Sequence, residues 1–393
     1  MTLSVTQPFV RNRLTWLAYA MLAYIGFTQS MLGPLMPFLR TELSLSYTLG
    51  GFLPAAIAGG LILSGLISDW LARHWGRRVV FWGGALGLAA SAVLLGLSHY
   101  FGLVFISVLG IGFSSSLTQV MIQALLSDQH GERRSIAFTE ANVAASLSAT
   151  LTPLVIGGLQ SVEIGWRAIS ILIVFFLMLL AAAFHRQSIP ESAVRTQAVE
   201  DRGRLPFSFW LYWIVLFLVV AVEMSMAVWG TDFLFSVAGL SRIDAALGFS
   251  AFPAAMLIGR IAGSRLTRRW SSLTLLLAAL MVTLIGFPIF WLAHLAALNI
   301  IGLFITGLGI ANLYPLTLSI AISLAAGQSN LASARVSLGV GTALLTAPLL
   351  MGWLADRLSL QSAYGIVIVL MVAACIIVLN NRWLSEHRVT SRL

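Results

Sequence analysis

The sequence predicts an all-α polytopic membrane protein, twelve transmembrane helices arranged as two parallel, pseudo-symmetric six-helix bundles. Three observations predict it. The chain is 59% hydrophobic and only 9% charged over 393 residues, whereas a soluble domain carries roughly 25% charged residues. Apolar runs long enough to cross a bilayer, about 20 residues each, recur along the whole length. Residues of the first half also recur 195 positions later in the second.

In chain order the expected spans are 14–38, 49–71, 79–98, 103–126, 136–160 and 168–184, then 207–237, 245–265, 272–293, 298–325, 332–356 and 364–381. The first apolar stretch, Leu14 to Leu39, is too long for a signal-peptide core and leaves through Gly33, Pro34 and Pro37, so it reads as a span. Spans 2, 5, 8 and 11 bear prolines and many small residues, which permits bending and close approach. Spans 3, 6, 9 and 12 carry almost nothing polar at mid-depth and read as lipid-facing. The longest hydrophilic stretch, 185–206, lies midway. It divides an N-terminal bundle, 1–184, from a C-terminal bundle, 207–393.

Every one of the 23 basic residues is Arg. With the N-terminus placed inside, eighteen fall in inside segments and four outside (Arg40, Arg167, Arg242 and Arg357), with Arg260 within a span. The excess of positive charge on one side places both termini and the central linker in the cytoplasm. The net charge of +9 thus reflects membrane topology and not a nucleic-acid partner. The expected location is a bacterial cytoplasmic (inner) membrane.

The repeat is specific. Ser30 and Met31 fall on Ser225 and Met226, and Leu45-Ser46 on Leu240-Ser241. Leu71, Arg73 and Trp75 fall on Leu266, Arg268 and Trp270, and Pro153, Gly157 and Leu159 on Pro348, Gly352 and Leu354. Six spans separate the partners, so the two halves run parallel, one of the known designs of secondary transporters.

Chemistry of other kinds has little to work with. Cys375 is the single cysteine, which excludes a disulfide framework and a thiolate metal cluster. The six histidines are scattered near span ends, so no metal site is expected, nor any cofactor. The absence of Lys removes a phosphate-binding loop of the nucleotide-hydrolysing type, and no catalytic motif is present. Transport without an ATP site draws on a gradient.

From Gly65 to Arg78 the chain reads GLISDWLARHWGRR. This segment, with the two parallel halves, resembles the major facilitator superfamily, whose cytoplasmic motif between helices 2 and 3 has an Asp, then Gly and two basic residues. Trp75-Gly76-Arg77-Arg78 fits its end; Arg73 stands where the motif has Asp, with Asp69 one turn earlier. The stretch GPLMPFLRTELSLSYTLGG is similar to fucose-permease-type members. Proton-coupled drug exporters of the superfamily carry an Arg four residues before a Gly-x-Gly pair in helix 4. Here Ile106 precedes Gly110 and Gly112, and Thr152-Pro153 precedes Gly157-Gly158 where those exporters have Gly-Pro-x-x-Gly-Gly.

An ionisable side chain at the bilayer centre costs about 2.5–3.5 kcal/mol on insertion scales and marks function by default. Glu223 in span 7 is the carboxylate at mid-depth, with no Arg expected beside it; Asp232 lies nearer the outer end. Such a carboxyl can bind and release a proton as its access to water alternates. Other polar residues at mid-depth are Thr28 and Gln29 on span 1, Ser114, Ser115 and Ser116 on span 4, and Asn312 and Tyr314 on span 10. The resemblance implies that spans 1, 4, 7 and 10 line a central cavity. It also sets Asp69 against Arg335, and Glu140 against Arg260 or Arg265. With Arg73, Arg77 and Arg78 of the motif, these form a candidate latch closing the cytoplasmic side.

The expected function is secondary active transport of a small solute, most simply proton-coupled symport of a polar metabolite, with proton, solute and bilayer as partners and no enzymatic activity. Two alternatives stand beside it: a proton-coupled drug or metabolite exporter, and a receptor or scaffold that keeps the fold without transport.

Overall fold

The computed structural model describes residues 10–190, 205–325 and 328–390, and all regular structure there is helical. The first half comprises α1 (Arg13–Gln29), α2 (Leu32–Glu42), α3 (Tyr47–Trp75), α4 (Arg77–Gly96), α5 (Phe101–His130), α6 (Arg134–Ser161) and α7 (Ile169–Phe184). The second comprises α8 (Phe207–Ser236), α9 (Arg242–Phe249), α10 (Ala251–Leu266), α11 (Ser272–Leu292), α12 (Ala296–Ser323), α13 (Ser329–Arg357) and α14 (Leu360–Thr390). Most of the linker expected at 185–206 lies outside the described residues. So do Arg195, Arg202, Arg204 and Arg392, which entered the orientation argument.

By length and composition, eleven stretches among the described residues can cross a membrane. The kinked pair α1–α2 is the twelfth span. Its break at Ser30 and Met31 has a local cause. Pro34 lacks the N–H that would bond the Ser30 carbonyl, so the helix cannot continue unbent. The eighth span breaks at Ser250, between α9 and α10, ahead of Pro253 for the same reason. Several helices overshoot the expected spans; α5 reaches His130 where the apolar run ends near residue 126. Helical hydrogen bonding continues for a turn beyond the bilayer core, where hydropathy has already fallen.

Helix starts obey capping chemistry. Ser46, Ser241 and Ser271 each accept, through the side-chain oxygen, the backbone N–H three residues on. Ser46 and Ser241 are repeat partners. Between α3 and α4 the chain reverses at Gly76, whose φ of 82° belongs to the left-handed region that a residue with Cβ avoids. That explains the glycine ahead of Arg77 and Arg78.

The repeat is also visible in packing. Gly112 of α5 sits so close to Ile57 of α3 that a Cβ would strike its backbone. At the equivalent place in the second half, Gly307 of α12 sits against Phe252 of α10. In both halves a small-residue approach therefore draws one helix tightly behind another. Hydroxyls tie α6 to α1, with Ser148 donating to the Ala23 carbonyl (2.7 Å) and Thr152 to the Phe27 carbonyl (3.0 Å). Indoles do the same between α8 and α13: Trp213 Nε1 donates to the Arg335 carbonyl (2.7 Å) and Trp229 Nε1 to the Pro348 carbonyl (3.1 Å).

The halves meet through α3 with α13, α2 with α8, and α6 with α9. These seams lie toward one face of the bundle. There Gly51 packs on the backbone of Pro348 and Leu349, Gly33 on Ala227, and Gly352 on Tyr47. Arg40 pairs with Asp232 across the seam, and its guanidinium stacks 3.3 Å over the Tyr47 ring. Toward the arginine-rich face the helices separate. The α3 residues from Gly50 to Ala56 are almost all buried. From Leu61 to Trp70 only the Ser64–Ser68 stripe is buried, and Leu66 is 75% exposed. The molecule is closed at one face and open at the other.

Candidate functional site: a charged cavity between the halves

Between the halves lies a cavity of about 470 Å³. Hydrocarbon covers much of its wall, from Pro54, Ile57, Phe249, Phe252, Met256 and Leu344. Its polar groups are Gln29, Ser30, Asn142, Ser146, Glu223 and Arg260. A mostly apolar wall with a few converging polar groups is the usual anatomy of a small-molecule site.

Glu223 sits near the middle of α8, with its side chain 20% exposed. The expectation that it has no Arg beside it is wrong. Arg260 of α10 lies 3.9 Å away, Nη2 to Oε1. The same guanidinium donates from Nη1 to the Ser146 hydroxyl of α6 (3.1 Å), so Arg260 touches both halves at once. Its repeat partner is Gly65, and that of Glu223 is Thr28; both charges are breaks in the symmetry. Tyr314 on α12 is half-buried and is not on the cavity wall.

The other expected site residues divide. Gln29 is on the wall and donates from Nε2 to Ser115 Oγ (2.7 Å), which itself donates to the Gly112 carbonyl. Ser115 is thus a buried support for Gln29. Thr28 is 1% exposed and spends its hydroxyl on the Tyr24 carbonyl one turn back. Asn312 donates to the Gly259 carbonyl (2.7 Å), joining α12 to α10. No residue of α5 or α12 lines the cavity, contrary to the expectation for spans 4 and 10. The glycine contacts described above hold these two helices one layer back, and α3, α6, α10 and α13 supply wall in their place.

The latch pairs are not formed in this conformation. Asp69 pairs with Arg73 on its own helix. Glu140 accepts from Arg11 (2.8 Å) and from the Tyr19 hydroxyl (2.9 Å), both within its own half. Arg77 bonds Asp128 (2.6 Å), and Arg78 the His185 carbonyl (2.6 Å). Arg265 and Arg335 are exposed. With this face open, the helix ends stand apart, and the charges that pair do so within their own half.

The sequence shows Arg260 as an arginine inside a span, the signal that singles out Glu223, and its place is the cavity wall where the latch was the expectation. Asn142 and Ser146 carry no signal that separates them from hydroxyls and amides bonded to their own helix, as both also are.

Two like halves around a charged cavity that opens to one face define a membrane transporter. The sequence profile of the Major Facilitator Superfamily matches residues 18–330, and the chain belongs to that superfamily. It is 26% identical over 366 residues to an uncharacterised MFS-type transporter of Yersinia pestis, covering 88% of this chain and 90% of that protein. Among solved structures it is similar to a bacterial homologue of the human lysosomal transporter Spinster in an inward-facing, occupied conformation. There the TM-score is 0.77 at 14% identity, over 95% of this chain and 97% of the other. It is also similar to a D-xylose–proton symporter, with a TM-score of 0.72 at 16% identity over 93% and 96%. At these identities the likeness is one of fold. The protein is a multi-pass membrane transporter.

Proposed function

We propose that the protein is a proton-coupled symporter of a small solute, with Glu223 as the coupling carboxyl and Arg260 as its partner in the cavity. The observation that carries this reading is the Glu223–Arg260 pair on the cavity wall at mid-depth. A structural role needs no such pair, because an ion pair taken out of water costs about as much as its attraction returns.

The bundles at 1–184 and 207–393, joined by 185–206, rock about this site. The arginine-rich face is cytoplasmic, so the conformation described is inward-open. Gln29, backed by Ser115, contributes a hydrogen-bonding group to the solute, as do Asn142 and Ser146. Thr28, Asn312 and Tyr314 shape the wall from behind. Asp69, Glu140, Arg265 and Arg335, with the motif arginines Arg73, Arg77 and Arg78, close the cytoplasmic face when the site turns outward.

The test is solute counterflow in proteoliposomes, with and without a pH gradient. Uptake driven by inward acid-side protons is expected in the native chain. In Glu223→Gln, exchange should persist while the pH gradient loses its effect. Gradient-driven accumulation surviving in that variant removes Glu223 from the coupling step.

A further inference from the structure

We propose that the solute is an amphipathic monoanion, a single carboxylate on a compact hydrocarbon body, bound through Arg260 and carried with one proton on Glu223. The inference rests on the transport reading above and names its substrate class.

Charge in the cavity decides it. Among the described residues the wall carries one fixed cation, Arg260, and one titratable anion, Glu223; Gln29, Ser30, Asn142 and Ser146 are neutral. The guanidinium cannot give up its proton. Tyr314 on α12 adds no charge, because a phenol remains neutral near pH 7. When the halves close over the cavity, water leaves, and an uncompensated charge costs several kcal/mol.

Each loading state can then be weighed. Empty, Glu223 and Arg260 cancel, and the site can close. A carboxylate that arrives alone takes Arg260 from Glu223 and leaves two anions to one cation. A proton that arrives alone neutralises Glu223 and leaves Arg260 unpaired. A carboxylate and a proton together put the solute on Arg260 and the proton on Glu223, and the sum is again zero. Only the empty and the doubly loaded cavity close without excess charge, which is the condition for tight symport.

The same count excludes proton symport of the other classes. A neutral solute with a protonated Glu223 leaves Arg260 bare. A cation opposite Glu223 leaves Arg260 bare as well.

The geometry suits an exchange of partners. At 3.9 Å the Glu223–Arg260 contact is loose, and the Arg260 side chain is 47% exposed. Its planar fork can take a carboxylate in two parallel hydrogen bonds. The aromatic and aliphatic wall, including Phe249, Phe252 and Met256, then covers the hydrocarbon body.

The test uses the purified full-length protein in detergent. Probes are the sodium salts of a graded monocarboxylate series from propionate to octanoate, with phenylacetate, each beside the amide and the amine of the same skeleton. Melting temperature reports binding, and an indicator dye in weak buffer reports protons taken up. Carboxylates of one size range are expected to stabilise saturably with about one proton bound per anion, and amides and amines not at all. Arg260→Gln should weaken carboxylate binding at least about tenfold, the loss expected of a charge-assisted contact. Glu223→Gln should bind carboxylate with no proton uptake, an arm that does not depend on how Arg260→Gln folds.

Equal binding of amides or amines, binding unchanged in a folded Arg260→Gln, or no binding by any carboxylate overturns the proposal. Amides or amines that bind and exchange across proteoliposomes leave the transport reading standing and end the anion class. Carboxylate binding through Arg260 without counterflow does the reverse.

Discussion

Asp356, in the last turn of α13, accepts the backbone N–H groups of Tyr47 (2.8 Å) and Thr48 (2.7 Å) at the first turn of α3. A carboxylate of the second half therefore caps a helix of the first. The contact complements the partial positive charge of the α3 N-terminus and satisfies two N–H groups that the helix itself cannot bond. It joins the two halves at the closed far face. Asp356→Asn keeps one acceptor and loses the charge. It should destabilise the closed far face by about 1 kcal/mol and raise the share of the form open at that face several-fold. Spin-label distances between the far ends of α3 and α13 measure that share, and an unchanged distribution removes the cap from the gate.

Arg40 and Asp232 join the halves at the same face, and their environment sets a larger effect. The Asp232 side chain is 1% exposed and that of Arg40 is 16% exposed. Asp232 Oδ1 and Arg40 Nε have no hydrogen-bond partner among the described residues. Asp232→Asn strands the guanidinium in a desolvated seam, a loss of about 3–5 kcal/mol for a buried pair broken on one side. The variant should melt lower in detergent and favour the form open at that face. Arg40→Met with Asp232→Leu removes both charges and should recover most of the melting temperature. If the double variant is as unstable as the single, the seam depends on the pair itself.

Gly157 and Gly352 are repeat partners, one at the seam of α6 with α9 and one at the seam of α13 with α3. A Cβ on Gly157 meets the Leu247 side chain, whereas on Gly352 it meets the Tyr47 carbonyl and Trp229. A leucine can turn aside, and a helix backbone cannot. Gly352→Ala should therefore cost about 1–3 kcal/mol as overpacking and open the far face. Gly157→Ala should be nearly silent. Thermal melts of the two variants decide it, and equal effects contradict the packing asymmetry.

The fold was legible because its causes are written along one dimension. Apolar runs set the spans, arginines mark one face, and the repeat relates the halves. Depth was legible too, and Glu223 stood out as a carboxylate in an apolar run. What a helix presents sideways was not. Arg260 reaches the cavity because α10 kinks after Ser250 and lies against α12 through Gly259 and Gly263, contacts that no single span contains. Thr28 and Asn312 looked like ligands because a polar residue in a span signals demand for a partner. The sequence does not say that Tyr24 and Gly259 carbonyls already meet it. The open face explains the unformed latch, since a sequence encodes the charges for both conformations and one structure shows the partners of one.

Glu140 shows how that exchange of partners is tested. In the open form Arg11 and Tyr19 hold it, and closure of the arginine-rich face would turn it to Arg265, since Arg260 is engaged on the cavity wall. Arg11→Gln weakens its hold in the open form and should favour closure. Arg335→Gln removes a member of the closed latch and should favour the open form, whereas Glu140→Gln loses partners in both forms and should move the balance little. Helix-end pairs near water contribute under about 1 kcal/mol each, so each shift is less than about fivefold in population. Cysteines replacing Leu66 and Leu338, both well exposed on α3 and α13, carry spin labels in a Cys375→Ser background. The short-distance population should rise in Arg11→Gln, fall in Arg335→Gln and stay nearly unchanged in Glu140→Gln. Movement of all three in one direction, or none, would mean that these charges serve only to hold the helix ends in water.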